Sequence, residues 1–211
     1  KVGLKMKVEL LHKYAVMFGM GEKTGIDLPG EKAGLVPDRE WKRRVDRTPW
    51  FPGNTVMMSI GQGYVTGTPL QIMNVMAAMA NGGYVMQPRI LKAITDDNRR
   101  IIRQTEPREL FRIKASQENI DMMRSALRLV VSGSRGTGAK GRVEGIQMAG
   151  KTGTVENPQG ENHAMFAGFA PYKNPEILVY VLVEHGGGGG DKAAPVAGEL
   201  IEYYLKVLNK K

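Results

Sequence analysis

The 211-residue chain contains no cysteine. Disulfides, thiol catalysis and cysteine-zinc sites are therefore excluded together. This suits an extracytoplasmic protein that needs no disulfides, although cytosolic proteins can lack cysteine too. Aromatic residues are scarce, at 7%. They do not interleave with the basic clusters Lys42-Arg43-Arg44 and Arg99-Arg100 in the manner of a nucleic-acid stacking platform. No apolar run approaches the roughly 18 residues of a membrane helix, and no signal-peptide pattern opens the chain. Acidic residues are the minority, 21 against 30 Lys+Arg, for a formal net charge of +9. Such a balance favours anionic partners, but the cations are dispersed and read as a solvated basic face, with no nucleic-acid partner expected. The first residues, Lys1-Val2-Gly3-Leu4, read as the middle of a longer chain, so a piece of a larger protein is expected.

What is present suffices for one sizeable core: 42% of residues are hydrophobic and 24% charged. Leu4, Val8, Leu11, Ala15 and Phe18 recur at steps of three and four, predicting an amphipathic helix that Gly19 and Gly21 end. Residues Thr24 to Gly53 are rich in Gly and Pro and read as irregular but packed. Thr68, Pro69 and Gln71 announce a second helix through a capping box with proline at the first helical position. Residues Tyr84 to Ile90 read as extended, and a hairpin is expected around Asp96-Asp97-Asn98. Ser116 caps a third helix with the stripe Ile120, Met123, Leu127 and Val130. A Gly-rich loop and three extended segments follow, Ile146–Val155, Met165–Ala170 and Ile177–Val183. The last has no polar alternation and is expected to be buried on both faces. Five glycines, Gly186 to Gly190, read as a flexible turn before a closing helix with Val196, Leu200, Tyr203, Tyr204 and Val207 inward. Helices, then three strands and a final helix predict an α+β fold with an antiparallel sheet.

One stretch carries chemistry. Gly145, Gly150, Lys151 and Thr152 satisfy the spacing of a phosphate-binding loop. The context opposes that function: Ile146 and Met148 suit a strand, and Gly153, Val155, Asn157 and Pro158 cannot begin the helix whose amides would face a phosphate. The competing interpretation is the Lys-Thr-Gly strand of serine acyl-transfer enzymes, formed by Lys151-Thr152-Gly153-Thr154. There Lys151 offers a fixed charge to a substrate carboxylate. Gly153 admits a substrate backbone because no Cβ intrudes. Thr154 contributes a hydroxyl and a candidate oxyanion-hole N–H. Alternation sets Lys151 and Gly153 on one face and Thr152 and Thr154 on the other.

The surroundings favour the second interpretation. Thr24-Gly25-Ile26-Asp27-Leu28-Pro29-Gly30-Glu31, Ser59-Ile60-Gly61-Gln62-Gly63 with Thr68-Pro69-Leu70-Gln71, and Met165-Phe166-Ala167-Gly168-Phe169-Ala170-Pro171 stand in order around the tetrad. With Val183-Glu184-His185 and Ala193-Ala194-Pro195-Val196-Ala197, they resemble class B penicillin-binding proteins of the elongation type. The resemblance implies a penicillin-binding or serine β-lactamase-like transpeptidase fold, an antiparallel sheet packed with helices. Residues 1–211 would form the C-terminal part of a single transpeptidase domain whose N-terminal part is missing.

The implied activity is a D,D-transpeptidase that crosslinks peptidoglycan stem peptides through a serine acyl-enzyme and binds β-lactam antibiotics. The implied site residues are Lys151, Thr152, Gly153 and Thr154, with no cofactor. Implied partners are the cell-wall elongation machinery and its glycosyltransferase. The implied location is the bacterial inner membrane, through a missing N-terminal anchor, with the domain facing the periplasm or outer side. The chain departs from the family at the nucleophile. No serine is followed three residues later by lysine, or two residues later by Asn or Asp, and Thr137-Gly138-Ala139-Lys140 is the nearest match. Both motifs precede this region in the family, so the chain alone is expected to be inactive. A non-catalytic domain of the same fold, serving as scaffold, is the alternative. His163, Glu184, His185 and Asp191 have metal-ligand chemistry, but no spacing demands a metal, and none is expected.

Overall fold

The computed structural model describes residues 1–208. Their contacts divide them into two compact units: Lys1–Asn74 with Tyr84–Ile113, and Val75–Gly83 with Lys114 onward.

In the first unit, α1 (Val2–Met17) is broken at Lys7, whose φ is 60°. Val8 on its inner side is fully buried and meets Val36, Trp50 and Met58. Gly3 allows the approach of α3 (Pro52–Ser59), because a Cβ there would stand 2.3 Å from the Ser59 Cβ. One helix, α2 (Arg39–Val45), thus forms within the stretch expected to be irregular, and α3 begins at its end. The Asp38 carboxylate caps α2 by accepting from Trp41 N–H at 2.6 Å. Pro52 opens α3, where its fixed φ suits the first turn. Between them Lys42 is buried with its charge satisfied: Nζ donates to the Pro49 carbonyl (3.1 Å) and Asn54 Oδ1 (3.0 Å).

The expected capping box starts α4 (Pro69–Ala80): Gln71 N–H donates to Thr68 Oγ1 (3.2 Å), and Thr68 N–H to Gln71 Oε1 (2.9 Å). Gln71 Nε2 also reaches the Glu22 and Ala33 carbonyls, both at 2.7 Å. The turn at residues 24–31 is a local clamp. Glu31 accepts from the N–H groups of Thr24 (2.7 Å) and Gly25 (3.0 Å). Asp27 accepts from those of Ile90 (2.7 Å) and Leu91 (2.9 Å). Strand β1 (Tyr84–Met86) pairs antiparallel with β4 (Glu109–Arg112), while β2 (Ala93–Thr95) and β3 (Ile101–Gln104) form the expected hairpin.

In the second unit, Ser116 caps α5 (Gln117–Ser132), accepting from Asn119 N–H. Ile120, Leu127 and Val131 are its buried residues, whereas Met123, expected inside, is exposed. The intervening inward position is Arg124, whose guanidinium satisfies the carbonyls of Ala80 and Tyr172, each at 2.6 Å, and lies over the Phe169 ring.

Strands β5 (Ala149–Val155), β6 (His163–Ala170) and β7 (Ile177–Val183) form an antiparallel sheet in that order, with β5 and β7 at its edges. The helix α6 (Ala193–Tyr203) packs on the face carrying Ala164, Phe166 and Val181. The opposite face of β7 is covered only in part: Leu178 and Tyr180 are half-buried and Leu182 is 37% exposed, so the expected full burial on both faces is not found among the described residues. The inner side of α6 also differs from expectation. Ala193, Ala194, Ala197, Gly198 and Ile201 are buried, while Val196, Leu200, Tyr203 and Val207 are exposed. Close approach explains the difference. A Cβ on Gly198 would stand 2.6 Å from the Gly141 carbonyl oxygen, and one on Gly141 would stand 2.5 Å from that of Ala194. Only small residues fit between such backbones.

Candidate active site

The Lys151-Thr152-Gly153-Thr154 tetrad lies in the middle of β5, an edge strand, as the sequence predicts. Its position is set from within the sheet. Gly150 faces Gly168 across the β5–β6 ladder, and added Cβ atoms would come within 2.5 Å and 2.6 Å of the Phe166 ring, respectively. The two glycines, with Gly138, leave the room that this fully buried ring occupies directly beneath the tetrad.

The register separates the four residues as alternation requires. Lys151 lies opposite Ala167, which lies opposite Tyr180, so these three form one row across the sheet. Thr152 lies opposite Phe166, on the face that meets the core. Lys151 is exposed, and Nζ donates to the Thr152 carbonyl at 2.7 Å. Tyr180, two strands away, has its phenol pushed above the ordinary range by burial.

Neither threonine hydroxyl is idle. Thr152 Oγ1 lies 2.7 Å from Thr137 Oγ1, on the loop after α5. Thr154 Oγ1 accepts from Gly189 N–H at 3.2 Å. The glycine run is therefore more than a turn. A Cβ on Gly189 would stand 2.2 Å from the Gly153 carbonyl oxygen, and one on Gly190 would stand 2.2 Å from that of Thr137. These glycines are needed for contact, because any side chain would push the loop off the strand. Asp191 then pairs with Lys140 at 2.7 Å, joining the end of the run to the turn Ala139–Gly141. That pairing holds the Asp191 carboxyl below its ordinary range. Gly189 and Gly190 thus join the site although no motif singled them out, and Thr137, noted in the sequence only as the nearest match to a serine–lysine spacing, joins it as a hydrogen-bond partner of the strand. The available signal was the density of glycine between β7 and the closing helix.

The four residues with metal-ligand chemistry are only partly brought together. His163 and His185 meet edge to face, with ring centroids 5.0 Å apart, while Asp191 turns to Lys140. Among the described residues, no group of three or more His, Asp or Glu side chains is arranged to hold a metal ion. No described helix is long and apolar enough to cross a membrane.

What this arrangement offers is an edge strand with an exposed cation, a glycine beside it and two threonines held by neighbouring loops. Such an edge accepts an extended peptide through main-chain hydrogen bonds, and the cation suits a carboxylate. Comparison with known proteins points the same way. Residues 1–202 match the family model for the penicillin-binding protein transpeptidase domain. The peptidoglycan D,D-transpeptidase MrdA of Haemophilus influenzae is 34% identical over 226 residues; the match covers 97% of this chain and 34% of that protein. The chain thus spans about a third of that curated relative's length. Among solved structures, Pseudomonas aeruginosa PBP2 in complex with WCK 5153 is 36% identical with a TM-score of 0.83, covering 96% of this chain and 43% of that one. The PBP2–MreC complex from Helicobacter pylori gives 30% identity and a TM-score of 0.81, covering 99% of this chain and 37% of that one.

Proposed function

Because the chain belongs to the penicillin-binding protein transpeptidase domain family, we propose that the protein containing it is a peptidoglycan D,D-transpeptidase of the elongation type. The observation that carries this function is the Lys151–Thr154 tetrad on an open sheet edge, pinned from behind by Thr137 and Gly189. Residues 1–211 form the C-terminal part of one transpeptidase domain, and the nucleophilic serine with its lysine lies upstream of Lys1. That serine attacks the penultimate D-alanine carbonyl of a stem peptide and forms an acyl-enzyme, which an acceptor amine resolves. Lys151 holds the carboxylate of the donor peptide or of a β-lactam. Gly153 leaves space for its backbone, Thr152 positions the strand, and Thr154 contributes an N–H to the oxyanion hole.

The solved ceftriaxone acyl-enzyme of M. tuberculosis penicillin-binding protein A supports β-lactam binding, and the H. pylori PBP2–MreC complex supports a place in the elongation machinery. A glycosyltransferase partner and a membrane anchor, with the domain facing the periplasm or outer side, complete the proposal. The test is labelling with a fluorescent penicillin. The full-length protein should be acylated stoichiometrically at one serine, while the 211-residue chain, lacking a serine–lysine pair, should not be labelled. Covalent labelling of the isolated chain would overturn this assignment of roles. A folded full-length protein that never acylates would instead favour the non-catalytic scaffold.

A further inference from the structure

Two histidines stand where the connections flanking the tetrad meet. Across the hairpin, His163 lies opposite Val155, the last residue of β5. His185 follows β7 and opens the glycine run. The His185 backbone N–H donates to His163 Nδ1 at 3.0 Å. The His185 ring in turn has Nδ1 3.0 Å from Asn157 Nδ2, on the β5–β6 connection. Gly187 N–H adds a third link, to the Asn162 carbonyl at 2.8 Å. His185 has a φ of 53°, a left-handed conformation that a residue other than glycine keeps only where its surroundings hold it.

The partners dictate the protonation state. A backbone N–H can only donate, so His163 Nδ1 must accept. Asn157 Oδ1 already accepts from Gln159 N–H at 3.0 Å, which turns the carboxamide nitrogen toward His185. His185 Nδ1 therefore accepts as well. Each neutral ring carries its proton on Nε2, and a second proton on either would replace an acceptor with a donor. Both links would then be lost, and two cations would face each other at ring contact.

The consequence reaches the tetrad through one short loop. Four residues beyond His185, Gly189 N–H donates to Thr154 Oγ1, and the Gly189 backbone lies against the Gly153 carbonyl. We infer that His163 and His185 form a proton-sensitive stitch that holds the glycine loop against Thr154, making them positioning residues for acylation. The charged side chains on the segments that meet here are Glu156 and Glu161 on the β5–β6 connection, Glu184 beside His185, and Lys192 with the Lys140–Asp191 pair beyond the glycines. A proton added to either ring turns its accepting nitrogen into a donor, so the stitch opens on acidification.

The effect on acylation rests on the transpeptidase function proposed above, whereas the stitch itself can be read without it. The experiment uses the full-length protein and its His163→Asn/His185→Asn double variant, in which Oδ1 stands near the place of Nδ1 and gains no proton in this range. Fluorescent-penicillin acylation rates are measured from about pH 5 to 8. Hydrogen exchange of residues 184–191 is followed in parallel, corrected for the intrinsic pH dependence of amide exchange. The wild type should lose acylation rate roughly three- to tenfold on the acid side relative to the double variant, the worth of one or two hydrogen bonds. Its loop exchange should rise over the same range, while the double variant stays flat in both measurements. A His163→Ala variant should show the fast loop exchange already at neutral pH. Loop exchange independent of pH in the wild type, or an acid limb unchanged in the double variant, would overturn the stitch. Should no variant acylate at any pH, the transpeptidase assignment fails while the exchange measurement still decides the stitch.

Discussion

The hydroxyls of Thr137 and Thr152 lie 2.7 Å apart, joining the loop after α5 to the second residue of the tetrad. Thr152 points toward the core side of β5, so its hydroxyl fixes the strand from behind while Lys151 and Gly153 remain on the opposite face. Replacing Thr137 with Val keeps the shape and removes the partner. Losing a hydrogen bond of this kind costs about 0.5–1.5 kcal/mol. Acylation of the full-length protein should slow by roughly two- to tenfold, with Thr137→Ser restoring most of the rate. Equal labelling rates for the Val variant and the wild type would show that the hydroxyl pair has no part in the site.

Lys151→Ala should be far more damaging to acylation than to folding. The side chain is exposed and its one described bond, to the Thr152 carbonyl, replaces no core contact. A charge-assisted contact with a substrate carboxylate contributes about 1.5–3 kcal/mol. The acylation rate of the full-length variant should fall by about tenfold to over a hundredfold, while its melting temperature stays near that of the wild type. Unchanged labelling kinetics would remove Lys151 from the site.

Glycine substitutions should separate contact from freedom. Gly189→Ala places a methyl 2.2 Å from the Gly153 carbonyl oxygen and 2.4 Å from that of Met165, both of them backbone atoms. The overlap should destabilise the protein by about 1–3 kcal/mol and slow acylation as the loop leaves Thr154. Gly53, in the first turn of α3, has nothing within 4 Å of an added Cβ and no positive φ. Gly53→Ala should therefore be neutral or stabilise by up to about 1 kcal/mol, through the unfolded chain. Thermal unfolding of the two variants checks the contrast, which a uniformly flexible glycine loop would not produce.

The Asp27 clamp should respond to acid. Its carboxyl is held below the ordinary range by the N–H groups of Leu91 and Ile90. A lowered folded value means that the stabilisation is complete above the unfolded value, about 3.9, and lost as pH falls through the folded one. Amide exchange at Ile90 and Leu91, corrected for its intrinsic pH dependence, should therefore rise below about pH 4. Asp27→Asn, which keeps one acceptor oxygen and loses the charge, should show raised exchange there already at neutral pH. Protection unaffected by the substitution would mean that the base of the β2–β3 hairpin is held by other contacts.

The tetrad, its strand and the helix caps were legible in the sequence because they depend on local chemistry. Thr68, Pro69 and Gln71 make their capping box within one turn, and Ser116 finds its partner three residues on. The face of each tetrad residue followed from the two-residue period of a strand alone. The helices α2 and α3 were obscured by the surrounding Gly and Pro, although Asp38 and Pro52 are ordinary helix-start signals.

Hydrophobicity itself misled at α6. Val196, Leu200 and Tyr203 are its larger apolar residues, yet the helix buries Ala194, Ala197 and Gly198. Which side of a helix lies inward depends on how near its neighbour comes, and here a backbone stands where a side chain would otherwise be. Met123 on α5 is exposed for a related reason: the inward turn is taken by Arg124, whose cation is satisfied by carbonyls from Ala80 and Tyr172. Sequence alone thus determined the tetrad's strand, its alternation and the order of the three strands and closing helix, since each rests on neighbours within a few residues. The tertiary structure alone decided that Thr137 would reach Thr152, that Gly189 would reach Thr154, and that His163 would meet His185. Those contacts join residues 15, 35 and 22 positions apart, and only the packing of loops against β5 brings them within bonding distance.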